Sequence, residues 1–280
     1  MSCEVVLTRS GATAMRHRAS GEVMHPGTGN AVEPVELYVG PSRLEARLRE
    51  PGDGALVVFD VGLGAASNAI AAFRVSEAAP DGARRLEIVS FDNDLAPLAL
   101  ALDPAYAARF GLAEGTPEHA AAQALLASGR VETARTTWRL AFGDLRATLA
   151  AEAEASADVV FWDMYSAKNQ PDLWTPEAFA SLRRACRDGA TLHTYSAATS
   201  VRSALLLGGF AVGEGGPTGD RAETTIAATH VAALARPLGA RWLARLGRSP
   251  AAFAPGTVEG PEAHAAALAA VRACPQFAAG

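Results

Sequence analysis

Lysine is nearly missing from this 280-residue chain: of 25 lysines and arginines, Lys168 alone is a lysine. Positive charge is also outnumbered, since 30 Asp and Glu leave a net charge of −5 and a pI near 5.7. A globally basic nucleic-acid-binding surface is thereby excluded, and any RNA contact has to rest on a local patch. Cysteine is scarce: Cys3, Cys186 and Cys274 are far apart and form no CxxC, which argues against a disulfide framework and against a zinc site. The six histidines show no HExxH spacing, so no metal site is expected. No apolar run approaches the roughly 18 residues of a membrane span. The opening "MSCEVVLTRSGATAMRHRAS" lacks the apolar centre of a secretory signal. The expected location is cytoplasmic, with no membrane partner.

What is present is a rhythm. Residues 4–39 read as short strands and turns, a β-hairpin extension whose last strand would be "PVELYV". A short helix, "SRLEARLRE", follows with Ser42 as its N-cap. From residue 55 apolar runs alternate with Ala/Leu-rich helical segments: "ALVVFDVG" (55–62), "RLEIVSFD" (85–92), "TWRLAFGD" (137–144), "ADVVFWD" (157–163) and "ATLHTYS" (190–196). That alternation predicts an α/β fold with a mostly parallel, doubly wound sheet covered on both faces. Segment 97–130 is long enough for two helices, split near "EGTPEH". In "TPEAFASLRRACRDG" Thr175 caps, Pro176 takes the first helical position and Gly189 closes. Its Arg183, Arg184 and Arg187 would share one helix, as a solvated face or as phosphate contacts. "FAVGEGG" and "ETTIAAT" add a late antiparallel pair, and residues 232–280 form a helical tail.

Ligands of doubly wound sheets bind beyond the carboxyl ends of the strands. Four of those ends carry aspartate: Asp60, Asp92, Asp144 and Asp163. One such aspartate often only caps the next helix; four along one edge predict an acidic crevice. The first turn, "DVGLGAASN", places Gly62 and Gly64 where a backbone can approach a ligand closely. It is a poor dinucleotide fingerprint, because Ser67 stands where that pattern wants glycine or alanine. An acidic residue before the turn suits a ligand amino group. Asp92 suits ribose hydroxyls, Asp94 the cap of the next helix, and Asp144 an adenine amino group. Together these describe S-adenosyl-L-methionine better than NAD.

Several ordered motifs also resemble a known family, the methyltransferase module of the bifunctional enzyme that makes 5-methylaminomethyl-2-thiouridine in tRNA. Asp163, Tyr165, "AKN" at 167–169 and "PDLWTP" at 171–176 carry the most specific likeness. "LEIVSFDN", "FGD", "TLHTYSAATSVRSAL" and "GGFAV" follow in the family's order, and Asn68 matches the asparagine after the glycine turn. The resemblance implies a class I, S-adenosyl-L-methionine-dependent methyltransferase domain at 51–231, after a β-rich extension at 1–50 and before the tail at 232–280. It assigns the cofactor to Asp60, Gly62, Gly64, Asn68, Asp92, Asn93, Asp144 and Asp163, and acceptor chemistry to Asp163, Tyr165 and Lys168, with Trp174 as a further wall. The implied acceptor is the aminomethyl group of a tRNA wobble uridine. Three departures bear on this: Ala66 replaces the third glycine of the turn, Ser203 replaces an arginine, and "TGDRAETT" replaces a basic run. Loss of those cations keeps a small-molecule acceptor, or cofactor binding without catalysis, in play.

Overall fold

A computed structural model describes residues 2–8, 11–24, 30–219, 221–254 and 257–277. β1 (Cys3–Leu7) and β2 (Thr13–His17) form the expected antiparallel hairpin. The apolar run after it is not a strand. Val35–Val39 coils into one π-helical turn that buries Leu37, Tyr38 and Val39. Five residues, four of them apolar, cannot distinguish strand from helix by period; here Pro34 enters in helical conformation and burial on one side decides. α1 (Leu44–Arg49) follows Arg43, which is left-handed at φ 55°. Ser42 is not its cap, because its hydroxyl turns back to donate to the Val39 carbonyl at 2.9 Å.

The main body then runs β3 (Leu56–Val61), α2 (Ser67–Glu77), β4 (Leu86–Asp92), α3 (Ala96–Ala101), α4 (Pro117–Ser128), β5 (Arg130–Glu132), β6 (Thr136–Phe142), α5 (Leu145–Ala151), β7 (Ala157–Trp162), α6 (Pro176–Ala185), β8 (Cys186–Thr194), α7 (Thr199–Leu207), β9 (Ala211–Glu214) and β10 (Thr225–Ala228). The strands form one eight-stranded sheet in the order β5-β6-β4-β3-β7-β8-β10-β9. β6, β4, β3, β7 and β8 are parallel, and β5 and β10 are antiparallel to their neighbours. All six residues of β3 are buried, as expected of a strand covered on both faces. One cover includes α2 and α4; the other includes α5, α6 and α7.

Helix α6 starts as expected, with the Thr175 hydroxyl accepting from the Ala178 N–H and Pro176 in its first turn. It ends at Ala185, four residues before Gly189. The chain enters β8 at once, and a register irregularity opposite Ala157 and Val159 absorbs residues 187–190. Arg187 therefore lies in β8, where it pairs with Asp158 at 2.5 Å, and Arg184 donates to the carbonyls of Leu149, Ala150 and Glu152. These two arginines hold the fold together away from the strand ends.

After β10 the chain returns along β9. The Glu214 N–H donates to Arg236 O and the Leu238 N–H to Val212 O, both at 2.9 Å. α8 (Ala240–Leu246) and α9 (Gly260–Arg272) then bury Trp242, Leu246, Leu268 and Val271 in the core shared by α7. Gln276 closes this face: its side chain accepts from Val212 N–H and donates to the carbonyls of Val212 and Leu238, each at 2.7 Å. Among the described residues no helix is long and apolar enough to cross a membrane.

Candidate cofactor and acceptor site

The sheet order reverses at β3, whose chain neighbours in space are β4 on one side and β7 on the other. Beyond the carboxyl ends of these three strands lies a cavity of about 450 Å³, within the usual range of roughly 300–1,000 Å³ for small-molecule sites. Gly62, Gly64, Asp92, Asn93, Asp163 and Tyr165, all expected from sequence, line it together.

The glycine turn is shaped by what touches it. Gly62 has φ 96°, and a Cβ there would meet the Asp163 carbonyl oxygen at 2.5 Å. Gly64 has φ 52° and donates its N–H to Asp92 Oδ2 at 3.0 Å. Ala66 adopts the left-handed conformation a third glycine would take easily, at φ 63°. Asp92 also accepts the N–H groups of Asn93 and Asp94, at 2.8 and 3.0 Å. A carboxylate offers about four lone-pair sites, so one remains for a ligand. Burial raises the Asp92 carboxyl above its ordinary value, and the three N–H donors oppose that rise. Asp94 accepts from the Ala96 N–H at the start of α3 and receives the Ser2 hydroxyl, but the N-cap position of that helix is Leu95, one residue on from the expected cap.

Asp163 leaves β7 beside Gly62. Asn68 Nδ2 donates to its Oδ2 at 2.8 Å. Asn68 is 3% exposed and lies behind the cavity wall, so it reaches the site through Asp163. Asp60 is also set back, fully buried beneath the turn, with Oδ2 accepting from the Ser90 hydroxyl at 2.7 Å. Burial pushes its carboxyl up to about 8. Asp144 stands apart as an exposed N-cap of α5, accepting from Arg146 and Ala147 N–H. Lys168 is exposed, off the cavity wall, and unpaired among the described residues. Trp174 is 1% exposed and packs on Trp162, Phe179 and Tyr195. It is a support rather than a wall, and its Nε1–H holds the Tyr165 carbonyl at 2.8 Å.

Among the lining residues that sequence reasoning missed are His17, Glu22, Glu33, Tyr195 and Arg221. Glu22 accepts from the Ser166 N–H at 2.8 Å, from the Ser166 hydroxyl at 3.1 Å, and from Asn169 Nδ2. The "AKN" loop is thus fastened by the hairpin extension across 144 residues of sequence. His17 lies 4.9 Å from the Tyr165 ring, centroid to centroid. The Tyr195 hydroxyl donates to Met164 O at 3.0 Å. His17 and Glu22 have no local motif, whereas Tyr195 lies in the family-like "TLHTYSAATSVRSAL" and Arg221 in "TGDRAETT" without having been assigned to the site.

The donor set fits a cationic, nucleoside-sized ligand. Carboxylates from Glu22, Glu33, Asp92, Asp94 and Asp163 line the cavity. They suit a sulfonium and an ammonium and disfavour a pyrophosphate, and at Gly62 the close approach of the Asp163 carbonyl leaves no room for a side chain.

The comparisons agree with this chemistry. Residues 116–230 match the profile of a family described as S-adenosyl-L-methionine-dependent methyltransferase. That stretch, about two fifths of the chain, is similar to S-adenosyl-L-methionine-dependent methyltransferases, and S-adenosyl-L-methionine is the cofactor the match supports. Within that class it is similar to the tRNA 5-methylaminomethyl-2-thiouridine biosynthesis bifunctional proteins MnmC. It is 30% identical over 217 residues to that of Methylibium petroleiphilum, covering 74% of this chain and 32% of that one. For Ralstonia nicotianae it is 30% identical over 220 residues, covering 75% and 32%. The chain thus spans about a third of the length of these curated relatives. The crystal structure of MnmC2 from Aquifex aeolicus superposes with a TM-score of 0.72 at 23% identity, over 96% of this chain and 84% of that one. That match establishes the shared fold.

Proposed function

We propose that the protein methylates the primary amine of an aminomethyl group on a tRNA wobble uridine. The observation that carries this reading is the Asp163 carboxylate, held by Asn68 on the cavity wall between the glycine turn and the Tyr165 loop. S-adenosyl-L-methionine, when bound, supplies an electrophilic methyl group on sulfur. Asp92 would hold its ribose, and the turn at Gly62–Gly64 would pass beneath it. The work of the chain is alignment, since in-line displacement gains most from proximity and orientation. An amine attacks only when neutral, yet a cavity lined by carboxylates favours the ammonium. Asp163 answers this by accepting a hydrogen bond or proton from the acceptor nitrogen. Tyr165 and Tyr195 provide flat surfaces on which a uracil ring can rest.

A small-molecule amine is the second reading. One observation favours it: Arg184 and Arg187 are engaged within the fold away from the strand ends, so these two arginines supply no contact to RNA phosphate at the cavity. Nucleoside mass spectrometry of tRNA from a deletion strain decides between them. Accumulation of the unmethylated aminomethyl nucleoside, reversed by complementation, supports the tRNA reading; an unchanged nucleoside profile rejects it.

A further inference from the structure

We propose that Arg221 is the anion-binding residue of the cofactor cavity and takes the α-carboxylate of the methionine part of S-adenosyl-L-methionine. This rests on the cofactor reading above and adds a residue that neither the motifs nor the family match assigns. Five carboxylates line the cavity, and among its described lining residues Arg221 is the single permanent cation. The cofactor has two cationic centres that such a cavity suits. It also has one anionic group, which the same carboxylates would repel unless a cation met it there.

Arg221 is held in place. One guanidinium nitrogen donates to Glu33 at 2.7 Å, and the guanidinium lies 5.1 Å from the Tyr195 ring centroid. The Glu33 side chain is 4% exposed and that of Arg221 29%, so the pair is anchored on its buried side and open on the other. The remaining guanidinium N–H groups donate to no described residue, leaving part of the planar fork available for a carboxylate.

Position favours the same ligand. The glycine turn joins Asp92, through the Gly64 N–H, to Asp163, which Gly62 touches. From Asp163 the contacts continue through Met164 to Tyr195 and Arg221. A ribose at Asp92 therefore sends the amino-acid end of the ligand along the turn toward Arg221. The acceptor amine is the poorer partner, because a guanidinium repels an ammonium.

Calorimetry with S-adenosylhomocysteine and its decarboxylated analogue, which keeps the amine and loses the carboxylate, tests this. The unaltered protein should prefer the carboxylate-bearing ligand by on the order of 10- to 100-fold, as expected for a charged hydrogen-bonded pair. Arg221→Met should lower that affinity to the level of the analogue and leave the analogue unchanged, and Arg221→Lys should recover part of the preference. Equal binding of the two ligands by the unaltered protein overturns the proposal, and that comparison needs no variant to fold. Equal weakening of both ligands in Arg221→Met, or unchanged binding with a raised acceptor KM, also overturns it. Failure of the unaltered protein to bind either ligand removes the cofactor reading and this proposal with it.

Discussion

Asp60 and Asp163 end neighbouring strands, and their surroundings give them different work. Asp60 is sealed beneath the glycine turn, and burial pushes its carboxyl up to about 8, with the Asp163 and Asp92 carboxylates adding to the rise and the Ser90 hydroxyl opposing it. Its ordinary unfolded value is about 3.9. Between about pH 4 and pH 8 the folded state therefore binds more protons than the unfolded one, and stability falls as pH rises through that window. Asp60→Asn keeps an acceptor for Ser90 and cannot ionise. Its thermal midpoint should vary less from pH 5 to pH 8 than the parent's and exceed it at pH 8; parallel curves would show that Asp60 does not titrate in this range. Asp163 opens to the cavity, and its variant should behave differently. Asp163→Asn should retain cofactor affinity by calorimetry and lose about 10²–10⁴-fold in turnover, the usual weight of a general base. Part of that loss should return at higher pH, where more of the acceptor amine is neutral. Wild-type turnover in this variant, measured where chemistry limits the rate, would remove the role. That these positions carry carboxylates was legible in sequence; which one is buried was not, because burial depends on the layer packed against each face.

At the scale of elements, the strands were readable because runs such as "LVVFDV" and "VVFW" are apolar on both faces and stop at aspartate. Helices with Thr-Pro starts were equally plain: Thr116 caps α4 and Thr175 caps α6 through side-chain acceptance of an N–H. The turn at Val35–Val39 misled because its apolar run is too short to show a period, and its burial comes from neighbours distant in sequence. The fastening of the 163–174 loop was invisible for the same reason, since Glu22 and Ser166 meet only through the fold. Glu22→Ala removes all three acceptor contacts to Ser166 and Asn169. Amide exchange at Ser166 should accelerate by about tenfold or more, given the roughly 1.5–3 kcal/mol of a hydrogen bond to a charged group. Unchanged exchange at Ser166 would mean that the loop is fixed by its own packing, above all by buried Trp174.

For the molecule as a whole, the tail is part of the core rather than an appendage to it. Trp242, Leu246, Leu268 and Val271 are each less than 9% exposed and pack with residues of α6, α7 and β9. Removing residues 240–280 uncovers that apolar surface at roughly 1.5–3 kcal/mol for each large side chain it had buried. The shortened protein should melt well below the parent, or fail to stay in solution; an unchanged melting curve would show that α8 and α9 only rest on the surface.

The same tail bears on how the sheet ends. At one margin β5 is three residues long and bears Arg130 and Glu132. At the other, residues 236–238 and the Gln276 side chain occupy the hydrogen-bonding groups of β9 that face away from β10. An open strand margin is a template on which another chain can polymerise. Here one side is too short and charged and the other already taken, so the sheet cannot grow by recruiting strands from its neighbours. In a crowded cell this guards the protein against fibrous self-association, a hazard unrelated to its chemistry.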